Sequence, residues 1–234
     1  MAPDPLVLAH RGACRQAPEN TLAAFARARG LGADGVELDV RRSADGVLVV
    51  HHDARAELVG LLVEVPFAEI RAARPEIPTL DEAFEACAGL LVNVEIKCLP
   101  WEPDADPDHA VVSSVAERVR RQPLDVVVSS FDLDTIDAMR TAAPEIPTGF
   151  LVHGVDLATA AGLARDRGHA WLHPSRAALF ETPDAAHAVD AAHDQGLRVD
   201  VWTVDDPEEV RALAAAGVDA IITNVPDIAR AALS

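Results

Sequence analysis

Short apolar runs rich in β-branched residues alternate with amphipathic, alanine-rich stretches from one end of the chain to the other. Repeated βα units produce this rhythm, because a parallel sheet covered on both faces needs near-continuous apolar strands and every crossover needs a helix. The runs predict strands over Leu6–His10, Gly35–Val40, Leu90–Ile96, Asp125–Ser129, Thr148–Val152, Ala170–Leu172, Arg198–Trp202 and Ala220–Thr223. The stretches between them predict helices over Thr21–Arg29, Leu80–Ala88, Asp108–Arg121, Leu133–Ala142, Leu157–Arg167, Asp184–Gln195, Glu208–Ala216 and Ile228–Leu233. Asn20, Asp132 and Asp206 are candidate caps. Eight strands, each followed by a helix, specify a closed (β/α)₈ barrel of the TIM type, a single domain over residues 1–234. An open doubly wound sheet is the structural alternative. Asp53–Thr79 departs from the rhythm: part charged, part apolar and punctuated by Pro66, Pro75 and Pro78, it predicts a loop over one end of the barrel.

Such barrels carry their active sites at the C-terminal strand ends, so polar residues that terminate apolar runs come first. The first strand ends in His10-Arg11-Gly12, the second carries Glu37-Leu38-Asp39, and the third ends in Glu95-Ile96-Lys97. Alternation puts Glu37 and Asp39 on one face, and Asn93, Glu95 and Lys97 on one face of the neighbouring strand. Three carboxylates therefore converge. At ~4 Å and an effective dielectric near 20, each like-charged pair costs about 4 kcal/mol, so a cation is required among them. Carboxylates without cysteine or histidine describe hard oxygen ligation, hence one divalent Mg²⁺ or Ca²⁺ rather than zinc, and the ligand types do not choose between the two.

Asp45-Gly46 between two extended runs signals a hairpin, and a two-residue turn would pair Asp39 with His52 and Val40 with His51. That register selects His52 as the histidine beside the carboxylates. His10 and His52 then supply the proton donor and acceptor that phosphodiester hydrolysis needs. Arg11 and Lys97 supply cationic donors for a phosphoryl group.

The net charge of −18 excludes nucleic acid as the natural partner, since a polyanion needs a basic footprint. A small anionic substrate remains compatible when a local cation acts within the screening length of roughly 8 Å. Three cysteines without paired spacing, and a Met1–Pro5 start lacking a basic leader, point to a cytoplasmic protein with reduced thiols. No apolar run approaches the roughly 18 residues that span a bilayer, so no stable membrane association is expected.

Two motif-like segments are decoys. Gly30–Gly35 fits G-x-G-x-x-G but follows a helix and enters a strand, the reverse of a pyrophosphate loop. Asp132, Asp134 and Asp137 lack the glycine and glutamate of a calcium loop and read as helix capping. His51, His109, His153, His169, His187 and His193 read as solvated, while pocket and structural readings both stand for His173. Core packing and pocket lining both fit Trp202 and Phe131.

Taken in order, His10-Arg11-Gly12, Pro18-Glu19-Asn20-Thr21, Gly32 through Val40, Asp45-Gly46, His52-Asp53, Asn93 through Lys97, Ser129-Ser130-Phe131, Val201 through Val204 and Gly217 through Asn224 resemble the glycerophosphodiester phosphodiesterase family over nearly the whole chain. The resemblance implies a (β/α)₈ barrel that hydrolyses glycerophosphodiesters to glycerol 3-phosphate and an alcohol with a divalent metal. It implies His10 and His52 as the catalytic pair, Glu37, Asp39 and Glu95 as metal ligands, Arg11 and Lys97 as phosphate contacts, and Phe131 and Trp202 as substrate-pocket walls. The chain departs from the family pattern at Ala54–Gly60, where the insertion is short, which leaves the alcohol open. A lysophospholipase D-like enzyme and a non-catalytic metal- or ligand-sensing barrel are the alternatives. A glycerol hydroxyl beside the phosphoester could also attack phosphorus internally, with the effective molarity of a tethered nucleophile.

Overall fold

A computed structural model describes residues 3–234; Met1 and Ala2, the first part of the segment read for a leader, lie outside the described residues. In chain order the elements are β1 (Leu6–His10), α1 (Leu22–Gly30), β2 (Gly35–Arg42), β3 (Leu48–Val50), β4 (Arg55–Ala56), β5 (Gly60–Leu61), α2 (Phe67–Ala73), α3 (Leu80–Ala86), β6 (Leu91–Ile96), α4 (Ala110–Val119), β7 (Val126–Ser130) and α5 (Leu133–Ala142). They continue as β8 (Thr148–Val152), α6 (Leu157–Arg167), β9 (Trp171–Pro174), α7 (Arg176–Phe180), α8 (Ala185–His193), β10 (Arg198–Val201), α9 (Pro207–Ala215), β11 (Ala220–Thr223) and α10 (Pro226–Ala232).

β1 pairs in parallel with both β11 and β2, and β2 pairs onward with β6 through to β11, so the sheet closes into an eight-stranded parallel barrel and the open alternative is excluded. Outward-facing Val36, Leu38, Val40, Val92, Val94 and Ile96 pack with Phe25, Phe84 and Val115 in one layer between strands and helices. Inward-facing Leu8, Val127, Trp171, Ala220 and Ile222 fill the barrel floor. The strands are mostly apolar on the helix side, while on the inner side the acidic and basic residues His10, Glu37, Glu95 and Lys97 gather at the top, where the site forms.

Three local expectations change. The segment 53–79 is no plain loop: β4, β5 and α2 fold around a small cluster of Val49, Ala56, Leu62, Ile70 and Ile77. The elements are too short to carry a periodic signal, and their apolar residues find their partner in β3, outside the segment. Thr21, not Asn20, caps α1, its side chain accepting from the Ala24 N–H. His169 is buried rather than solvated, with its Nδ1 2.9 Å from the Thr148 hydroxyl.

One layer below the strand tips, His173 Nδ1 faces Asp200 Oδ2 at 3.7 Å, both side chains buried. His173 thus stays out of the upper cavity, packed so tightly on Gly149 that a Cβ there would lie 2.4 Å from its Nε2. Burial, with Asp219 adding to it, pushes the Asp200 carboxyl up to about 8, and burial pushes the His173 imidazole down to about 3. An unfolded carboxyl ionises near 3.8, so between that pH and about 8 the unfolded chain holds fewer protons and rising pH erodes stability. Asp200→Asn should remove this contribution. In urea titrations its stability relative to wild type should improve steadily from pH 4 to pH 8, by up to about 5 kcal/mol. A difference that stays constant across that range would show that the Asp200 carboxyl is not held neutral by the fold.

Candidate active site

The parallel register sets the acidic cluster. His10 lies beside Glu37 and Glu37 beside Asn93, while one step higher Asp39 lies beside Glu95. Each of the three acids offers an oxygen within 4.8 Å of the others, and all three side chains are buried. All the candidate residues except Asp39 line one cavity of about 140 Å³: His10, Arg11, Glu37, His52, Glu95, Lys97, Phe131 and Trp202. Asp39 lies behind it, screened by cationic side chains. Lys97 Nζ is 3.2 Å from Asp39 Oδ1 and 2.6 Å from Glu95 Oε1, and Arg11 Nε is 3.2 Å from Asp39 Oδ2.

These cations do not balance the cluster. Burial, then Asp39, raises the Glu37 carboxyl to about 8 against the opposing pull of Arg11 and Lys97, and burial raises Glu95 to about 8 as well. Burial would raise Asp39 too, but Lys97, Arg11 and His52 together hold it below the usual carboxylate range. Glu37 Oε1 is buried without a hydrogen-bond partner. A hard dication fits here: it would meet that orphaned oxygen, take one oxygen from each acid and offset the burial and repulsion that raise two of them.

The turn after β1 is built tightly around this cluster. Arg11 adopts a left-handed backbone, φ 55°, which aims its N–H at Glu37 Oε2, 3.0 Å away. At Gly12 a Cβ would lie 2.7 Å from the Ala24 backbone, so only glycine lets α1 approach. Asn20, also left-handed at φ 56°, donates its amide to Asp39 Oδ2 at 2.7 Å. Its side chain is committed to the site, which is why it leaves the cap to Thr21.

The hairpin register differs from the expected one. Ser43 N–H donates to the Val47 carbonyl, Gly46 N–H to the Ser43 carbonyl, and Gly46 has φ 80°. This is a three-residue loop with a glycine bulge, and it pairs Val40 with Val50 instead of His51. β3 ends at Val50, but the shifted register carries on to His51, whose N–H donates to the Asp39 carbonyl at 3.0 Å, so His51 rather than His52 stands opposite Asp39. The chain then turns and places His52 in the cavity, while His51 borders a neighbouring pocket with Arg74 and Glu76. Buried Arg41 holds that turn, donating Nε to the His52 carbonyl at 2.7 Å and its remaining nitrogens to Glu102 and Asp104.

The two imidazoles have different partners. His10 Nδ1 lies 2.8 Å from Asn224 Oδ1, and the Asn224 amide donates to Asp205 Oδ2 at 2.8 Å, so the oxygen must face the ring and Nδ1 must carry the proton. His52 Nδ1 lies 2.7 Å from the Asp53 carboxylate. Burial lowers both imidazoles below their ordinary range, opposed at His10 by the Asn224 hydrogen bond and at His52 by Asp39. The sequence reading gave Asn224, Asp205, Asn20 and Arg41 no role in the site, although Asn20 was read as a helix cap and both Asn20 and Asn224 stand in the motifs that carry the family resemblance. Trp202 lies just past β10, edge-to-face with Phe131 at 5.4 Å, its indole N–H donating to the His173 carbonyl at 2.8 Å.

The model of the Glycerophosphoryl diester phosphodiesterase family matches residues 10–228. A glycerophosphodiester phosphodiesterase of Caldanaerobacter subterraneus subsp. tengcongensis is 33% identical over 240 residues, covering 95% of each chain. A crystal structure of glycerophosphodiester phosphodiesterase from Thermotoga maritima superposes with a TM-score of 0.83 at 28% identity, covering 97% of this chain and 98% of that one. An Oleispira antarctica phosphodiesterase, solved in complex with the product sn-glycerol-3-phosphate, gives a TM-score of 0.85 at 27% identity over 98% of this chain and 97% of its own.

Proposed function

Because the chain belongs to the glycerophosphoryl diester phosphodiesterase family, we propose that it hydrolyses glycerophosphodiesters to glycerol 3-phosphate and an alcohol, using a divalent cation held by Glu37, Asp39 and Glu95. The observation that carries this reading is the buried triad, with Glu37 and Glu95 raised to about 8 by burial, set in and behind a cavity that holds two imidazoles and two cationic side chains. The product found in the Oleispira relative supports glycerol phosphate as the fragment released.

A bound Mg²⁺ or Ca²⁺ would supply Lewis-acid polarisation of a nonbridging phosphoryl oxygen. Arg11 and Lys97 orient the same phosphoryl group by charge-assisted hydrogen bonds. His10, protonated on Nδ1 towards Asn224, offers the Nε2 lone pair as the base. It takes the proton from the nucleophile, which is water or the neighbouring glycerol hydroxyl. On His52 the Asp53 carboxylate at Nδ1 opposes the lowering by burial, and it is this imidazole that gives the Nε2 proton to the leaving alkoxide. Phe131 and Trp202 wall the same cavity.

The three cysteines are free thiols, which supports a reducing, cytoplasmic setting. Among the described residues no helix is long and apolar enough to cross a membrane. A coupled assay for glycerol 3-phosphate release from glycerophosphocholine tests the reading. Turnover should vanish in EDTA and return with Mg²⁺ or Ca²⁺, the more effective ion marking the better fit. Turnover that survives exhaustive chelation would remove the metal from this account.

A further inference from the structure

Strand alternation puts a third charged residue, Arg41, on the inner face of β2 above Glu37 and Asp39. It does not line the catalytic cavity, and it is only 2% exposed. A guanidinium so far from water is tolerated only when its donors are filled, and here every partner lies on a loop. Nε donates to the His52 carbonyl at 2.7 Å, one terminal nitrogen to Asp104 Oδ2 at 2.6 Å and Glu102 Oε2 at 3.1 Å, and the other to Glu102 Oε1 at 3.1 Å. Burial alone would lower this guanidinium, and the two carboxylates raise it above its ordinary range. Glu102 and Asp104 have no other side-chain partner among the described residues, and Asp104 Oδ1 is buried without one. Both belong to the segment between β6 and α4, whose Leu99 and Trp101 wall an apolar groove of about 530 Å³ beside the cavity. His52 is thus held by two contacts of unequal strength. Its ring meets Asp53, whose side chain is 72% exposed and open to competition from water, whereas its backbone carbonyl is held by a buried charge.

We propose that Arg41 is a positioning residue for His52 and that Glu102 and Asp104 set it in place, so that the segment after β6 governs protonation of the leaving group without touching the substrate. This rests on the phosphodiesterase reading, in which His52 is the acid. As the phosphorus–oxygen bond to the alcohol breaks, its electron pair goes to the leaving oxygen and the His52 Nε2 proton follows, while the proton of the nucleophile passes to His10. Without the fork of bonds from Arg41 the turn after β3 loses its buried anchor, and a donor displaced by about 1 Å from the leaving oxygen costs about 10²-fold in rate. That loss arises only where a proton is needed. Choline departs as an alkoxide that must be protonated, whereas p-nitrophenol departs as a stable anion that needs no acid. The hydrogen bonds of Arg41 reach neither the acidic triad nor Arg11 and Lys97, so cation and phosphate binding do not depend on it.

Turnover of glycerophosphocholine and of glycerophospho-p-nitrophenol by wild type, by Arg41→Lys and by the double variant Glu102→Gln with Asp104→Asn tests this. In each variant kcat for the choline ester should fall by about 10²-fold while kcat for the p-nitrophenyl ester hardly changes, with KM the same for both. His52→Ala should show the same selectivity with a larger loss, and His10→Ala should slow both esters alike. Lysine keeps the charge of Arg41 but cannot fork to three partners. The double variant leaves β2 and its buried arginine as they are, so it reads out the same linkage even where Arg41→Lys fails to fold. Equal losses with the two esters would reduce Arg41 to a structural role, and undiminished turnover of the choline ester would deny it any role; either result overturns the proposal. If wild type turns over neither ester, the phosphodiesterase reading falls and takes this one with it. If His52→Ala is not selective, the acid is not His52 and the proposal falls with that role, whereas selectivity confined to His52→Ala removes Arg41 alone.

Discussion

Glu95→Gln should abolish turnover and yet leave the metal-free protein harder to unfold than the metal-free wild type. The first effect follows from the ligand set: losing one of three carboxylates, and with it several kcal/mol of charge stabilisation in the transition state, corresponds to a fall in kcat of about 10³-fold or more. The second follows from the burial of mutually repelling acids, which raises Glu37 and Glu95 to about 8 despite the nearby Lys97 and Arg11. The folded pKa of Glu95 lies above its unfolded value, so its contribution favours folding at low pH and is lost as pH rises from about 4.5 to 8. The amide cannot ionise and escapes that loss, while Lys97 keeps Asp39 as a partner at 3.2 Å. Thermal denaturation in EDTA at pH 8 should therefore favour the variant, by roughly 1–2 kcal/mol. Adding Mg²⁺ or Ca²⁺ at a hundred times its dissociation constant should stabilise the wild type by about 2.7 kcal/mol and the variant far less. A variant that binds the ion as tightly as wild type, or melts lower in EDTA, would place the cation elsewhere.

His10→Ala should lower kcat by about 10²- to 10⁴-fold, the range for a lost general base, while metal-induced stabilisation stays intact. Asn224→Leu should lower kcat by a smaller factor, roughly 10-fold, and carries a second signature in the pH profile. Burial depresses the His10 imidazole and the Asn224 hydrogen bond opposes that depression. Without Asn224 the His10 pKa drops further, the base stays unprotonated to lower pH, and the acidic limb of kcat/KM should move to more acid values. A loss of equal size at every pH would reduce Asn224 to a packing role, and an unchanged His10→Ala profile would take the base from His10.

The sequence reading and the structure agree most closely where one strand suffices. Thr148–Val152 and Ala220–Thr223 have the boundaries that their apolar runs predict. The two-residue alternation that set Glu37 and Asp39 together holds because a strand cannot present them otherwise. His52 is the instructive case. Its selection rested on a two-residue turn, and the bulge at Gly46 shifts the register that was used, yet His52 still enters the cavity. It does so because the chain leaves the ladder after His51 and Arg41 fixes the following turn.

The chain by itself thus determined the barrel and the acidic cluster, since these follow from periodicity within a strand and from neighbouring strands pairing in order, whereas Phe131 and Trp202 entered the reading of the cavity through the family resemblance. Only the folded molecule decided how those side chains are held. The proton on His10 is placed by Asn224 from the far end of the chain and Asp39 is steadied by Asn20 from the preceding turn. The apolar groove is assembled from the ends of β6, β7, β8 and β10. Such contacts depend on which strand tips the closed barrel brings face to face, and on loops whose geometry is set by what they pack against. Neither leaves a repeating pattern in the residues themselves.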